Sequence, residues 1–214
     1  MTPVDLIIFD CDGVLVDSEL LSCRCVAETL GAFGIAITTD EIIERFLGRN
    51  VATMVNYYAA EGRALPPTFA TDLAARVRES FRVSLRPIEG VAAVLRQLDV
   101  PSCVASSSDV ERVSMSLALT DLAPHFGPRL YTSQMVANGK PAPDLFLFAA
   151  AQMQADPRRA LVVEDSVSGV LAGKAAGMTV WGFTGGSHYR SRDVASLLSD
   201  AGADRVFARM ADFW

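Results

Sequence analysis

Apolar and polar positions follow two regimes along the chain. The run from Val4 to Phe9, broken only by Asp5, is short and apolar and predicts a central β-strand. From Glu19 to Arg86 the apolar residues recur at helical spacing instead. That spacing predicts helices over 19–33, 39–46, 51–60 and 69–83. Gly34 ends the first, Thr39 or Asp40 is positioned to cap the second, and Pro66-Pro67 separates the last two. No strand pattern occurs between Asp17 and Arg86. From Pro87 onward the two patterns alternate. Helices are predicted over 91–98, 109–119, 143–153, 167–176 and 194–201, and strands over 102–105, 129–132, 161–163, 179–181 and 205–207. Strands alternating with helices imply an α/β fold with a parallel sheet and right-handed crossovers. In such a sheet ligands bind beyond the carboxyl ends of the strands. The block before Pro87 is a helical insertion after the first strand.

Composition narrows the functional classes. The chain has 214 residues, half of them hydrophobic, enough for a sizeable core. Its formal net charge of −6 disfavours nonspecific binding to nucleic acid or to an anionic membrane. No apolar segment is long enough to span a bilayer, and the N-terminus lacks signal-peptide regions, so a cytoplasmic protein is expected. Cys11, Cys23, Cys25 and Cys103 form no CxxC pair and no metal-binding spacing with His125 and His188, which predicts free buried thiols.

The candidate chemistry sits where strands end. Phe9 leads into Asp10-Cys11-Asp12-Gly13, in which alternation sends both aspartates to one side and Cys11 to the other. Two carboxylates so close repel unless a cation lies between them or one is protonated. The strand ending at Ala105 continues into Ser106-Ser107-Ser108-Asp109, which offers hydroxyls and backbone N–H groups to an anion, with Ser108 or Asp109 as an ordinary helix cap. Lys140 stands between Gly139 and Pro141 and is one of two lysines, with Lys174, among 19 Lys and Arg residues. A rigidly held lysine in an arginine-rich chain suits a compact point charge. Leu161-Val162-Val163 ends in Glu164-Asp165-Ser166, a second acidic pair. Oxygen ligands converging from two strand ends suit Mg²⁺. His188, in Gly185-Gly186-Ser187-His188-Tyr189, reads as a surface loop residue.

The set Asp10-Cys11-Asp12-Gly13, Ser106, Lys140 and Glu164-Asp165 resembles, in order and span, the motifs of the haloacid dehalogenase superfamily of phosphotransferases, in the branch with a helical cap after the first strand. The resemblance implies a three-layer, doubly wound, Rossmann-like core of residues 1–16 and 87–214 and a small helical cap of residues 17–86. It implies that Asp10 is the nucleophile, that Asp12 is the general acid and base, and that Ser106 and Lys140 bind the phosphoryl group. Mg²⁺ would be held by Asp10, Asp12 through its carbonyl oxygen, Asp165, and Glu164 directly or through water. Ser107, Arg49 and Asn50 are the candidate substrate-binding residues. Arg45 reads either as a helix-surface charge or as a pocket residue, and of Tyr57 and Tyr58 one ring is expected inside and one outside.

Within that family the expected substrate is a small phosphorylated metabolite, a sugar, sugar-acid or polyol phosphate, and the expected state is a monomer. β-Phosphoglucomutase, the alternative, uses a histidine early in the first cap helix, where this chain has Ser22, and a cap arginine at a position matching Val51, two residues from Arg49. A phosphonoacetaldehyde hydrolase needs a cap lysine, which 17–86 lacks. A phospho-receiver domain also combines acids, a hydroxyl and a lysine on a parallel sheet. It would place its acceptor aspartate on a middle strand and carry no helical insertion.

Overall fold

The computed structural model describes residues 4–189 and 193–214. The chain divides into two compact units, Met1–Asp17 with Arg86–Trp214, and Ser18–Leu85.

The larger unit is built on six parallel strands: β1 (Leu6–Phe9), β2 (Ser102–Ser106), β3 (Leu130–Thr132), β4 (Ala160–Glu164), β5 (Thr179–Phe183) and β6 (Arg205–Phe207). Their order across the sheet is β3-β2-β1-β4-β5-β6. β1 is therefore central, with Phe9 in register with Val104 on one side and Val163 on the other. All four of its residues are buried, as its apolar run requires. The strand order reverses direction at β1, and that reversal opens a crevice beyond the carboxyl ends of β1, β2 and β4.

Alternation along the strands divides the core between two faces. Leu6, Ile8, Cys103, Ala105, Ala160 and Val162 point to one face. There they pack with Leu145, Phe146, Ala149 and Ala150 of α8 (Asp144–Gln152), and with Val170 and Ala172 of α9 (Val167–Ala175). On the other face Phe9 meets the rings of Phe126 and Phe213, and Trp181 packs on Phe213. Helices thus cover both sides of the sheet, giving the three layers of a Rossmann-like fold. Burying an aromatic ring such as Phe9 contributes roughly 1.5–3 kcal/mol, so the central strand is strongly held.

The smaller unit contains α1 (Glu19–Ala32), α2 (Thr39–Phe46), α3 (Val51–Ala60) and α4 (Phe69–Ser84). Leu30, Ile42, Phe46, Met54, Phe69, Leu73 and Phe81 form its interior. Its Tyr58 is buried and Tyr57 is exposed. The cap of α2 is Thr38 rather than Thr39 or Asp40: Thr38 Oγ1 accepts from Glu41 N–H, and the Glu41 carboxylate accepts from Thr38 N–H. Only Thr38 has a glutamate three residues on, the spacing of a reciprocal capping box.

Predicted elements match observed ones to within one or two residues at most ends. α5 (Val91–Gln97), α6 (Val110–Leu119) and α10 (Ala195–Asp200) complete the expected helices. Among the described residues, α7 (Ala123–Phe126) and the short 3₁₀ turns were not expected, being too short to show a helical period in sequence. Among the described residues no helix is long and apolar enough to cross a membrane. All four cysteines are buried thiols outside any disulfide.

Candidate active site

Asp10 follows β1 directly, and its N–H donates to Val163 O at 2.9 Å, which sets it beside the end of β4. Its carboxylate Oδ1 accepts from Lys140 Nζ at 2.7 Å. Lys140 reaches this point from a turn in which Ala142 N–H donates to Gly139 O and Asn138 Nδ2 donates to Asp144 Oδ1. Its side chain is only 3% exposed, and its Nζ donates also to Glu164 Oε1 at 2.5 Å and to Ala105 O at 3.0 Å. One ammonium thus ties together the ends of β1, β2 and β4.

Glu164, the last residue of β4, is wholly buried. Its second oxygen accepts from Ser166 N–H at 3.0 Å and Ser166 Oγ at 2.9 Å, while Ser166 Oγ also accepts from Gly169 N–H and caps α9. Ser166 is therefore the cap. Gly169 leaves the space that Glu164 fills, because a Cβ there would lie 1.8–2.2 Å from the carboxylate.

Asp165 points back toward the first loop. Gly13, with φ of 82°, turns the chain beneath it, and a Cβ on Gly13 would stand 1.9 Å from Asp165 Oδ2. A side chain is thus excluded twice over, by the left-handed backbone and by the carboxylate. Oxygens of Asp10, Glu164 and Asp165 lie within 4.8 Å of one another.

Burial pushes the Asp10 carboxyl well above the usual carboxylate range, against the pull of Lys140, with Glu164 and Asp165 adding to the rise. Asp165 is raised by burial first and by Glu164 next. Burial works against the charge of Lys140, but Asp10 and Glu164 outweigh it and hold its pKa above the ordinary lysine value. Three buried acids share one ammonium. The oxygen-only donor set fits a hard divalent cation such as Mg²⁺, which would supply the missing positive charge.

Asp12 lies outside that cluster. Its Oδ2 accepts from Ser108 Oγ at 2.7 Å, and its Oδ1 is 3.0 Å from Arg112 Nη2. Sequence reasoning missed both partners. Of the two residues expected as a cap, Ser108 or Asp109, it is Asp109 that caps α6, accepting from Arg112 N–H at 2.8 Å and leaving Ser108 for Asp12. Ser106 ends β2, is buried, and its Oγ accepts from Ser108 N–H. Ser107 is exposed, and its carbonyl accepts from Ser133 Oγ.

His188 corrects the reading of a surface loop residue. It is buried in the 3₁₀ turn Ser187–Tyr189, with Nε2 3.2 Å from Asp165 Oδ2. The pattern of a Gly-rich loop carries no information on which way a turn aims its side chains. Gly186, two residues before it, was the available local signal, since a residue without a side chain leaves room for something bulky.

Asp10, Asp12, Ser106, Lys140, Glu164 and Asp165 all gather in the larger unit. Arg49 and Asn50 belong to the smaller unit, where both are exposed between α2 and α3. Asn50 Oδ1 accepts from Thr53 N–H at 2.8 Å and so caps α3. Arg45 pairs with Glu41 on the surface of α2 at 3.5 Å, the helix-surface alternative.

Residues 7–183 match the model of a family described as haloacid dehalogenase-like hydrolase. The chain is similar to the 6-phosphogluconate phosphatase of Escherichia coli K12, with 31% identity over 190 residues, 88% of this chain and 86% of that protein. Among solved structures, a conserved haloacid dehalogenase-like protein from Agrobacterium tumefaciens is 38% identical with a TM-score of 0.87, covering 98% of this chain and 96% of the other. A HAD family hydrolase from Deinococcus radiodurans, solved with bound phosphate and sodium, is 35% identical with a TM-score of 0.83, covering 100% and 94%.

Proposed function

The chain belongs to the haloacid dehalogenase-like hydrolases, and on that premise we propose that it is a Mg²⁺-dependent phosphatase of a small phosphomonoester, working through an aspartyl-phosphate on Asp10. The observation that carries this reading is the buried constellation of Asp10, Lys140, Glu164 and Asp165, with Asp12 two residues from the nucleophile.

Asp10 attacks phosphorus in line with the leaving oxygen, and the P–O bond to the leaving group breaks as the new bond forms. Asp12 gives the leaving oxygen its proton. It then takes a proton from the water that hydrolyses the aspartyl-phosphate, releasing inorganic phosphate and restoring Asp10. Lys140 sets a fixed positive charge against the approach of a dianion to an anionic nucleophile, and Ser106 offers its hydroxyl to a phosphoryl oxygen. Asp10, Asp165 and the Asp12 carbonyl would hold Mg²⁺, with Glu164, both of whose oxygens are engaged, beside it. Bound there, the ion would neutralise charge on the transferring phosphoryl group.

A sugar, sugar-acid or polyol phosphate is the substrate class we favour. The similarity to a 6-phosphogluconate phosphatase supports it. The helical unit would act as the cap, with Arg49 and Asn50 toward the substrate and Ser107 near the phosphoryl group. Ser22 favours hydrolysis over a mutase reaction. It stands where the mutase has its histidine, and its hydroxyl donates to Ser18 O at 2.9 Å.

The test is phosphate release by metal-free protein across phosphorylated sugars, sugar acids, polyols and nucleotides, with and without added Mg²⁺. Turnover that requires Mg²⁺ and disappears in Asp10→Asn is expected. Multiple turnovers by the Asp10→Asn protein would overturn the mechanism. Conversion of β-glucose 1-phosphate to glucose 6-phosphate without phosphate release would overturn hydrolysis in favour of the mutase.

A further inference from the structure

The mechanism makes no use of His188, yet it is among the few polar side chains buried in the larger unit, 1% exposed. The structure is arranged around it. Ser187 N–H and Oγ donate to Asp17 Oδ1 at 3.0 and 2.8 Å, anchoring one side of the turn. Tyr189 OH donates to Asp165 O at 2.9 Å, anchoring the other. A Cβ on Gly186 would lie 2.5 Å from the imidazole Cε1, and one on Gly13 would lie 3.1 Å from the same atom. Two glycines from different loops therefore leave the slot that the ring occupies, and the ring's Nε2 meets Asp165 Oδ2.

We propose that His188 is a positioning residue for the cation site: its ring nitrogen, in ion-pair contact with Oδ2 at 3.2 Å, restrains the Asp165 carboxylate that clusters with Asp10 and Glu164. A carboxylate on a free Cβ–Cγ bond can rotate either oxygen toward a ligand. A buried ring nitrogen on one oxygen removes that freedom before the ion arrives, and partners behind a metal ligand commonly account for about 10–100-fold in metal affinity. The clamp on both sides of the turn explains why the ring cannot follow the carboxylate. This inference rests on the proposed cation site.

The experiment is Mg²⁺ titration of metal-free protein by calorimetry, with the melting temperature of the metal-free protein as a control for folding. Three variants are compared: His188→Leu, which removes the nitrogen; His188→Gln, whose amide nitrogen reaches about as far as Nε2; and His188→Asn, whose amide falls short. Mg²⁺ affinity about 10–100-fold weaker in His188→Leu, with the melting temperature near that of the wild type, is expected. Recovery in His188→Gln but not in His188→Asn supports positioning, and it decides the matter if the leucine variant does not fold. Equal affinities in the glutamine and asparagine variants, or wild-type affinity in the leucine variant, overturn the proposal. A wild-type protein that binds no Mg²⁺ overturns the cation site together with it.

Discussion

Replacing Lys140 by Met keeps most of the apolar stem of the side chain, whose Nζ lies 5.0 Å from the ring centre of Phe146, and removes the terminal ammonium with its charge and three hydrogen bonds. The loss strands Asp10 and Glu164 against each other with no counter-charge, in a place where the lysine is 3% exposed and water cannot take its role. Removing one partner of a buried ion pair costs about 3–5 kcal/mol. For a chain of this length each kcal/mol shifts the melting temperature by roughly 2–4 °C, so a fall of about 6–20 °C is expected. The assay is thermal unfolding of the metal-free variant and wild type, followed by the same scan with Mg²⁺. A cation bound among the same carboxylates restores part of the missing charge. The stabilisation by Mg²⁺ should therefore be larger in Lys140→Met than in the wild type, while phosphatase turnover stays lost. A melting temperature within about 2 °C of the wild type would refute the claim that one ammonium balances these acids. So would a variant that Mg²⁺ fails to stabilise more than it stabilises the wild type.

Two further outcomes are expected. Asp12→Asn should lower kcat by roughly 10²–10⁴, since an amide can neither give nor take the proton; steady-state phosphate release checks this, and an unchanged kcat would remove Asp12 as acid and base. Asp204 carries a pH dependence of stability: burial alone would raise its pKa, but Lys174, at 2.8 Å, and Val180 N–H, at 2.8 Å, hold it below the usual carboxylate value. Its contribution is therefore present above the unfolded value of about 3.9 and is lost as pH falls through the lower folded value. Melting temperatures of wild type and Asp204→Asn should differ at pH 7 and converge in acid; a difference that grows in acid would contradict the assigned direction.

The strand-end acids were legible because their signal is local. An apolar run that stops at two carboxylates is visible within a dozen residues, as at Phe9-Asp10 and at Val163-Glu164. The helical insertion was equally plain, because helical spacing over 19–83 and its absence of strands need no partner to be seen. Lys140 was singled out by the turn that carries it, and the structure places its ammonium between Asp10 and Glu164.

What the chain alone determined is thus the alternation that builds a parallel sheet and the set of residues delivered to its carboxyl edge, since backbone period and chain direction dictate both. Only the tertiary structure decided how those side chains are oriented. Arg112 meets Asp12 across 100 residues of sequence, and His188 faces inward because Gly13 and Gly186 vacate the same slot from two loops. Such contacts depend on the aim of individual turns and on space left by distant residues, and neither has a period that a sequence can display.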